Sequence, residues 1–312
     1  MEALQQRAAL TLCLMAAFAD GNNDERERAA IERLAVSLGN TDLASIYQDV
    51  LLGKLDLNAV AAQLATPEEK RFAYEMAVGV CSADGATSPV ERDFLARLAA
   101  ALGLLPAPAA EFAREAEKVA TAPPSGAALD GALVGAVPRD DADLDKMILN
   151  YAILNGALEL LPQSLASMAI IPLQMRMVYR IGKAHGFELD GGHIKDLLAT
   201  LGVGLTSQYL EQFGRRLVGG LLGSIGGGLL GGLGSVSTGA AFSFATTYAL
   251  GEVAKRYYAG GRTIDTAGLQ RAFSEMLGTA KQMQGKYAAQ IAEQARSLDF
   301  NKLMSAIRSG TA

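Results

Sequence analysis

Two short segments of the chain carry oxygen-bearing side chains at a spacing that suits a divalent cation. In the first they are Asp20, Asn22, Asp24 and Glu27, and in the second Asp84, Thr87, Ser88 and Glu91. Calcium takes six to eight oxygen ligands, so one segment supplies too few and two brought together could supply enough. The sequence therefore gives a metal-site hypothesis, for calcium or zinc, with the carboxylates of Asp20, Asp24, Glu27, Asp84 and Glu91 as ligands.

The same spacing has a second explanation, which is helix capping. Ser88 followed three residues later by Glu91, with a proline directly after the serine, is the pattern of a capping box at a helix start. Asp-Gly pairs form turns in proteins that bind no metal. Asp20 and Asp84 are the stronger ligand candidates, because the cap does not require them. Capping alone and capping with metal binding both stay open.

These segments belong to an internal repeat. Residues 19–39 and 83–103 align without a gap, and both contain A-D-G, then E-R after five residues, then R-L-A and a final L-G. Apolar residues at helical spacing precede and follow each A-D-G. The repeat therefore predicts a duplicated unit of helix, acidic loop and helix.

The twin ADG…ER loops give the region 1–120 its resemblance to a known family. It resembles the TerB-like family of tellurite-resistance and stress proteins. That resemblance implies an all-helical bundle with pseudo-twofold symmetry, an acidic surface and a link to metal and stress responses, without an established enzymatic activity. The composition is acidic as well, with 11 Lys and Arg against 18 Asp and Glu in residues 1–120.

A different pattern occupies residues 217–251, which contain no charged residue. Glycines recur there every four residues, at Gly219, Gly223, Gly227 and Gly231, and Gly239 lies in phase with them. Such a pattern forms a groove along one helix face that admits another backbone. Each interior glycine costs a helix about 1 kcal/mol relative to alanine, so close packing or lipid must offset the cost.

Basic pairs flank this uncharged segment, Arg215-Arg216 before it and Lys255-Arg256 after it. By the positive-inside rule both ends prefer the cytoplasmic face of a membrane. The sequence therefore predicts a candidate membrane hairpin that enters the bilayer from that face. Burial in a soluble or self-associating helical domain is the alternative that the same glycines permit.

Residues 145–275 resemble the uncharacterised YcjF-like family of membrane proteins. The matching stretches are ALELLPQSLA, IGKAHG, the glycine-rich segment and TTYALGEVAKRYYAGG. Members often occur beside or within small GTPases. Because this chain carries no GTPase motif of its own, the resemblance implies a small GTPase, or another protein, as a partner.

The domain organisation follows from these patterns and from a change in composition. Residues 121–143 are rich in Pro, Gly and Ala and predict a flexible linker. The predicted domains are an acidic helical bundle over 1–120 and a glycine-rich helical domain over 144–312 with an amphipathic C-terminal helix. The expected fold class is all-α, because β-branched residues are sparse.

Composition limits the function. The chain has only two His and two Cys, and no Ser-His-Asp or Cys-His spacing, so we expect no enzyme. The acidic N-terminal region argues against nucleic-acid binding. We expect a non-enzymatic, membrane-associated stress or envelope adaptor on the cytoplasmic side of the bacterial inner membrane. Its acidic region would bind a divalent cation or a protein partner, and its glycine-rich helices would contact membrane lipid or self-associate.

Two other classes of function remain compatible with the sequence. One is a soluble homo-oligomeric helical scaffold that has no lipid contact. The other is a metal-dependent hydrolase that uses the acidic loops. Membrane fractionation separates the first from the adaptor, because it reports what the glycines face.

Overall fold

The protein is all-α in the residues that its computed structural model describes. These are residues 3–21, 43–82, 87–125, 138, 140–161, 164–201 and 238–308. They contain helices and no strand, which confirms the predicted fold class. They divide into two compact units, the first ending at Ala120 and the second beginning at Thr121.

The first unit contains six described helices. They are α1 (Ala3–Ala17), α2 (Leu43–Leu51), α3 (Leu57–Ala61), α4 (Pro67–Cys81), α5 (Pro89–Ala101) and α6 (Pro106–Ala120). Its core has α1 packed against α4, and Leu12, Met76 and Leu98 are fully buried there. Both α4 and α5 begin with a capping box followed by proline, so local sequence fixes where these two helices start.

The second unit contains seven described helices. They are α7 (Asp141–Leu158), α8 (Ser164–Met168), α9 (Ile170–Ala184), α10 (Gly191–Thr200), α11 (Thr238–Ala259), α12 (Thr266–Ser297) and α13 (Phe300–Arg308). Helix α11 is central, because it packs against α7, α9 and α12. Tyr151 of α7 and Phe244 of α11 are among the largest fully buried side chains.

The C-terminal segment predicted as one amphipathic helix consists of two helices, α12 and α13. The backbone of Leu298 is extended, with φ −71° and ψ 118°, and ends α12. The carboxylate of Asp299 then accepts a hydrogen bond from the backbone N–H of Lys302 at 3.0 Å. This cap starts a new helix, which is why the helical pattern continues after a break in the backbone.

The uncharged segment is described only in part. Its last residues, 238–251, form the N-terminal part of α11 and are largely buried against other helices of the second unit. Residues 202–237, with the first arm of the predicted hairpin, lie outside the described residues. Within the described ranges, no helix combines the length and the apolarity that crossing a bilayer requires.

Candidate functional site

Two of the five predicted metal ligands lie in the described residues. Asp20 is exposed in the turn that follows α1, and Glu91 lies in the first turn of α5. The other three, Asp24, Glu27 and Asp84, lie outside the described residues. No group of three or more His, Cys, Asp and Glu that could hold a metal ion occurs in the part of the chain that the structure covers. The metal-site hypothesis stays a prediction.

Glu91 takes part in the capping box of α5. The backbone N–H of Ser88 donates to Glu91 Oε2 at 2.7 Å, and the backbone N–H of Glu91 donates to Ser88 Oγ at 3.2 Å. Two backbone donors at the helix start are thereby satisfied. One carboxylate oxygen of Glu91 is therefore engaged in helix capping, as the pattern of the second repeat predicts.

Of the predicted glycine groove, only Gly239 is described. The others, Gly219, Gly223, Gly227 and Gly231, lie outside the described residues. Gly239 is buried in α11, and a Cβ atom there would lie 3.4 Å from Oε2 of Glu159, the C-cap residue of α7. Gly239 thus faces a neighbouring helix inside the second unit.

Other glycines bring α7 and α11 together more closely. A Cβ atom on Gly156 of α7 would lie 3.2 Å from the carbonyl oxygen of Ala240. A Cβ atom on Gly251 of α11 would lie 2.6 Å from Cγ2 of Ile148. Real Cβ atoms essentially never approach as closely as 2.6 Å, and a contact of 3.2 Å is tighter than most, so the lack of side chains at these glycines lets the two helices pack this closely.

A buried polar cluster joins three helices of the second unit. Thr247 Oγ1 on α11 accepts hydrogen bonds from Asn155 Nδ2 on α7 and Gln174 Nε2 on α9, each at 3.0 Å. All three residues are at most 1% exposed. Nearby, Ser243 Oγ donates to Glu159 Oε1 at 3.1 Å. None of these residues was predicted, and the signal in the sequence is a polar residue inside each of three apolar helical stretches.

Charged and aromatic groups lie at the C-terminal end of α11. Lys255 forms ion pairs with Asp145 of α7 and, at 3.9 Å, with Glu252. Burial raises the pKa of the Glu252 carboxyl. Burial also raises the pKa of Tyr248 and of Tyr258 to about 12. These shifts follow from the cost of placing a negative charge away from water.

The first unit contains a groove between α5 and α6, with a cavity volume of about 360 Å³. Alanines of the two helices form much of its wall: Ala96, Ala99, Ala100, Ala109, Ala110 and Ala113. Tyr74 of α4 also lines the groove, and its hydroxyl donates to the carbonyl of Ala109 at 3.1 Å. This groove was not predicted from the sequence, although alanines on successive helices are a visible signal of missing side-chain volume.

Charged residues line one end of the groove. Arg92, Arg114 and Glu117 belong to its wall, and Arg92 Nη1 lies 3.7 Å from Glu117 Oε1. Leu104 and Pro106, at the connection between α5 and α6, line the other end. The groove is therefore apolar along most of its length and cationic at one end.

Both cysteines are buried, and His193 contacts the residue that caps α10. Cys13 is fully buried, and burial raises the pKa of its thiol far above the ordinary value. Cys81 is buried near the Ala16 carbonyl, with the sulfur 3.9 Å from that oxygen. His193 Nδ1 lies 2.8 Å from Asp190 Oδ1, and Asp190 caps α10. Burial thus explains Cys13, and the contacts with the Ala16 carbonyl and with Asp190 explain Cys81 and His193.

Comparison with known proteins bears on the N-terminal region. Searches of curated proteins and of solved structures gave no match. Residues 2–116 match a protein family, DUF533, whose description is a protein of unknown function. The matched residues include α1 to α5 and most of α6. The N-terminal region is therefore similar to the DUF533 family, and the match does not extend to the second unit.

Proposed function

We propose that the protein is a non-enzymatic adaptor that associates with the cytoplasmic side of the bacterial inner membrane. The acidic region, residues 1–120, binds a divalent cation or a protein partner. The predicted glycine-rich helices contact lipid or a second copy of the chain. Because residues 145–275 resemble YcjF-like proteins, a small GTPase is the proposed class of protein partner.

One observation carries the proposal: glycines of α11 and α7 bring these helices together in the second unit. At Gly251 and Gly156 the lack of a side chain admits the neighbouring helix, which supports a similar role for the regularly spaced glycines. In the uncharged segment, glycines recur every four residues through 219–231. We infer that those upstream glycines also serve helix association, within the protein, between copies or next to lipid.

We also propose a TerB-like arrangement for the N-terminal region and a YcjF-like one for the second unit. We infer that the DUF533 region has the TerB-like arrangement, because its two ADG…ER copies repeat one helix–loop–helix pattern. The capping box at Ser88 and Glu91 supports this for the second copy. We infer that the second unit is YcjF-like from its quoted stretches, of which TTYALGEVAKRYYAGG lies in α11 and the turn after it.

Membrane association is tested by fractionation of cells that express the full chain. We expect the protein in the membrane fraction, and a carbonate wash distinguishes insertion from peripheral contact. Recovery in the soluble fraction without detergent, as a homo-oligomer, would replace the adaptor by the soluble scaffold.

A matched pair of variants then tests what the glycines face. Gly227→Leu adds a bulky side chain to the uncharged segment, and Gly278→Leu adds the same side chain on α12, where a Cβ atom meets nothing within 4 Å. If Gly227 faces another helix, Gly227→Leu disrupts self-association. If it faces lipid, Gly227→Leu strengthens retention in the membrane. Equal behaviour of the two variants would remove the role assigned to the spacing.

Cation binding by the acidic region is tested by titration of the full chain with calcium and with zinc. We expect Asp20→Ala and Asp84→Ala to weaken binding by removing hard oxygen ligands. Asp93→Ala is the matched control, because Asp93 is exposed on α5 and pairs with Arg97 at 3.1 Å. If all three variants titrate like the wild type, a protein partner remains the ligand class for the acidic region.

A further inference from the structure

We propose that the groove between α5 and α6 binds a soluble anionic amphiphile, a molecule with one short alkyl chain and an acidic head group. The alkyl chain lies along the alanine wall and the head group lies at Arg114. This site shares no residue with the predicted metal ligands or with the glycine-rich segment, so it stands independently of the proposed adaptor function.

The alanines of α5 and α6 leave an open volume between the two helices. Protein interiors are close-packed, and larger side chains at these positions would fill the space between two adjacent helices. The cavity of about 360 Å³ lies within the range of small-molecule sites, roughly 300–1,000 Å³. Its wall is apolar along α5 and α6, so burial of an alkyl chain there is favourable.

The groove is also long enough for an extended alkyl chain. Eight residues separate Pro106 from Arg114 on α6, which is about 12 Å at 1.5 Å per residue. An alkyl chain can therefore lie along the alanine wall with its head group at Arg114.

Charged side chains line one end of the groove. Helices α5 and α6 run antiparallel, so Arg92, Arg114 and Glu117 lie away from the apolar connection at Leu104 and Pro106. Glu117 is paired with Arg92. Within the described part of the chain, Arg114 makes no hydrogen bond or ion pair. A guanidinium in this position favours a carboxylate or phosphate head group, which it can bind through two parallel hydrogen bonds.

The test is calorimetric titration of the full-length protein with octanoate below its micelle concentration. Neutral 1-octanol and cationic octyltrimethylammonium carry the same alkyl chain with a different head group. We expect octanoate to bind at one site and the other two to bind about tenfold more weakly, since the head group loses its pairing with Arg114. Equal binding of octanoate and octanol would overturn the role of Arg114.

Variants locate the binding. Ala110→Phe fills the groove from an exposed position on α6, and Ala107→Phe places the same ring on α6 outside the groove wall. Arg114→Glu reverses the charge at the groove, and Arg97→Glu reverses an exposed charge on α5 that does not line it. We expect only Ala110→Phe and Arg114→Glu to lose octanoate binding, with helical circular dichroism unchanged in all four. Equal loss in a variant and its control would overturn the proposal.

Two further titrants distinguish a soluble amphiphile from a lipid held in a bilayer. Octyl phosphate tests whether the groove accepts a phosphate head group as well as a carboxylate. Phosphatidylglycerol vesicles present acidic head groups whose chains are held in a bilayer. Binding to vesicles without binding to monomeric octanoate or octyl phosphate would contradict a soluble ligand and assign Arg114 to a membrane surface.

Discussion

Gly251 of α11 lies against Ile148 of α7 so closely that a Cβ atom on the glycine would come within 2.6 Å of Ile148 Cγ2 and 2.8 Å of Cγ1. Both contacted atoms belong to the branched part of a buried side chain, which has little freedom to move. The two helices can therefore pack this closely only because Gly251 has no side chain. This contact gives a direct test of glycine as a packing residue.

We expect Gly251→Ala to destabilise the second unit by about 1–3 kcal/mol, because the added methyl group overpacks the interface. Gly278→Ala on α12 is the matched control, since it is exposed and a Cβ atom there meets nothing within 4 Å. The control should gain about 0.5–1 kcal/mol from helix propensity. Urea unfolding followed by circular dichroism measures both. Changes of the same sign would refute the packing role.

The Thr247 hydroxyl is predicted to hold α7, α9 and α11 together. Thr247→Val removes the acceptor shared by Asn155 and Gln174 and leaves two buried amide groups without it. We expect the free energy of unfolding to fall by about 2 kcal/mol or more, because each of the two unsatisfied buried donors costs about 1–3 kcal/mol. The measurement is the free energy of unfolding.

Two controls accompany Thr247→Val. Thr247→Ser keeps the hydroxyl and should restore much of the loss. Thr263→Val removes an exposed hydroxyl that donates to the Gly260 carbonyl at 2.9 Å, and it should cost less than about 1 kcal/mol. If Thr247→Ser is as unstable as Thr247→Val, the methyl group rather than the hydroxyl is the important contact.

Glu91 separates capping from cation binding in one experiment. Glu91→Gln keeps an oxygen that can accept from the Ser88 N–H, so in EDTA we expect its thermal stability within about 0.5 kcal/mol of the wild type. Glu91→Ala loses the contact and should cost about 1 kcal/mol. A cation ligand would also need the charge. Stabilisation of the wild type but not of Glu91→Gln by calcium or zinc would show that Glu91 binds metal as well.

Alkaline unfolding tests the burial of Tyr258. Burial raises the pKa of this phenol from its ordinary value of 10.0 to about 12 in the folded protein. Its contribution to stability is therefore complete below pH 10 and is lost as the pH rises toward 12, because the unfolded chain releases the proton first. We expect the free energy of unfolding to fall less steeply over this range in Tyr258→Phe. An identical slope in the two proteins would mean that Tyr258 ionises as freely when folded.

Local sequence predicted the features that depend on neighbours in the chain. The capping box at Ser88 fixes the start of α5 through contacts three residues apart, so its residue types are sufficient evidence. The all-α class followed from helical spacing and sparse β-branched residues. The end of α12 at Leu298 was not predicted, because a cap inside a continuous helical pattern is a weak signal.

Contacts between distant residues needed the tertiary structure. Thr247 and Asn155 are 92 residues apart, and nothing in either helix alone shows that they meet. The groove depends likewise on how α5 and α6 lie side by side, since alanines leave a space only where two helices face each other. The sequence by itself determined the all-α class of the described residues and the start of α5. The tertiary structure decided which helices pack, which polar groups are buried and where a cavity opens, because those outcomes depend on distances between residues far apart in the chain.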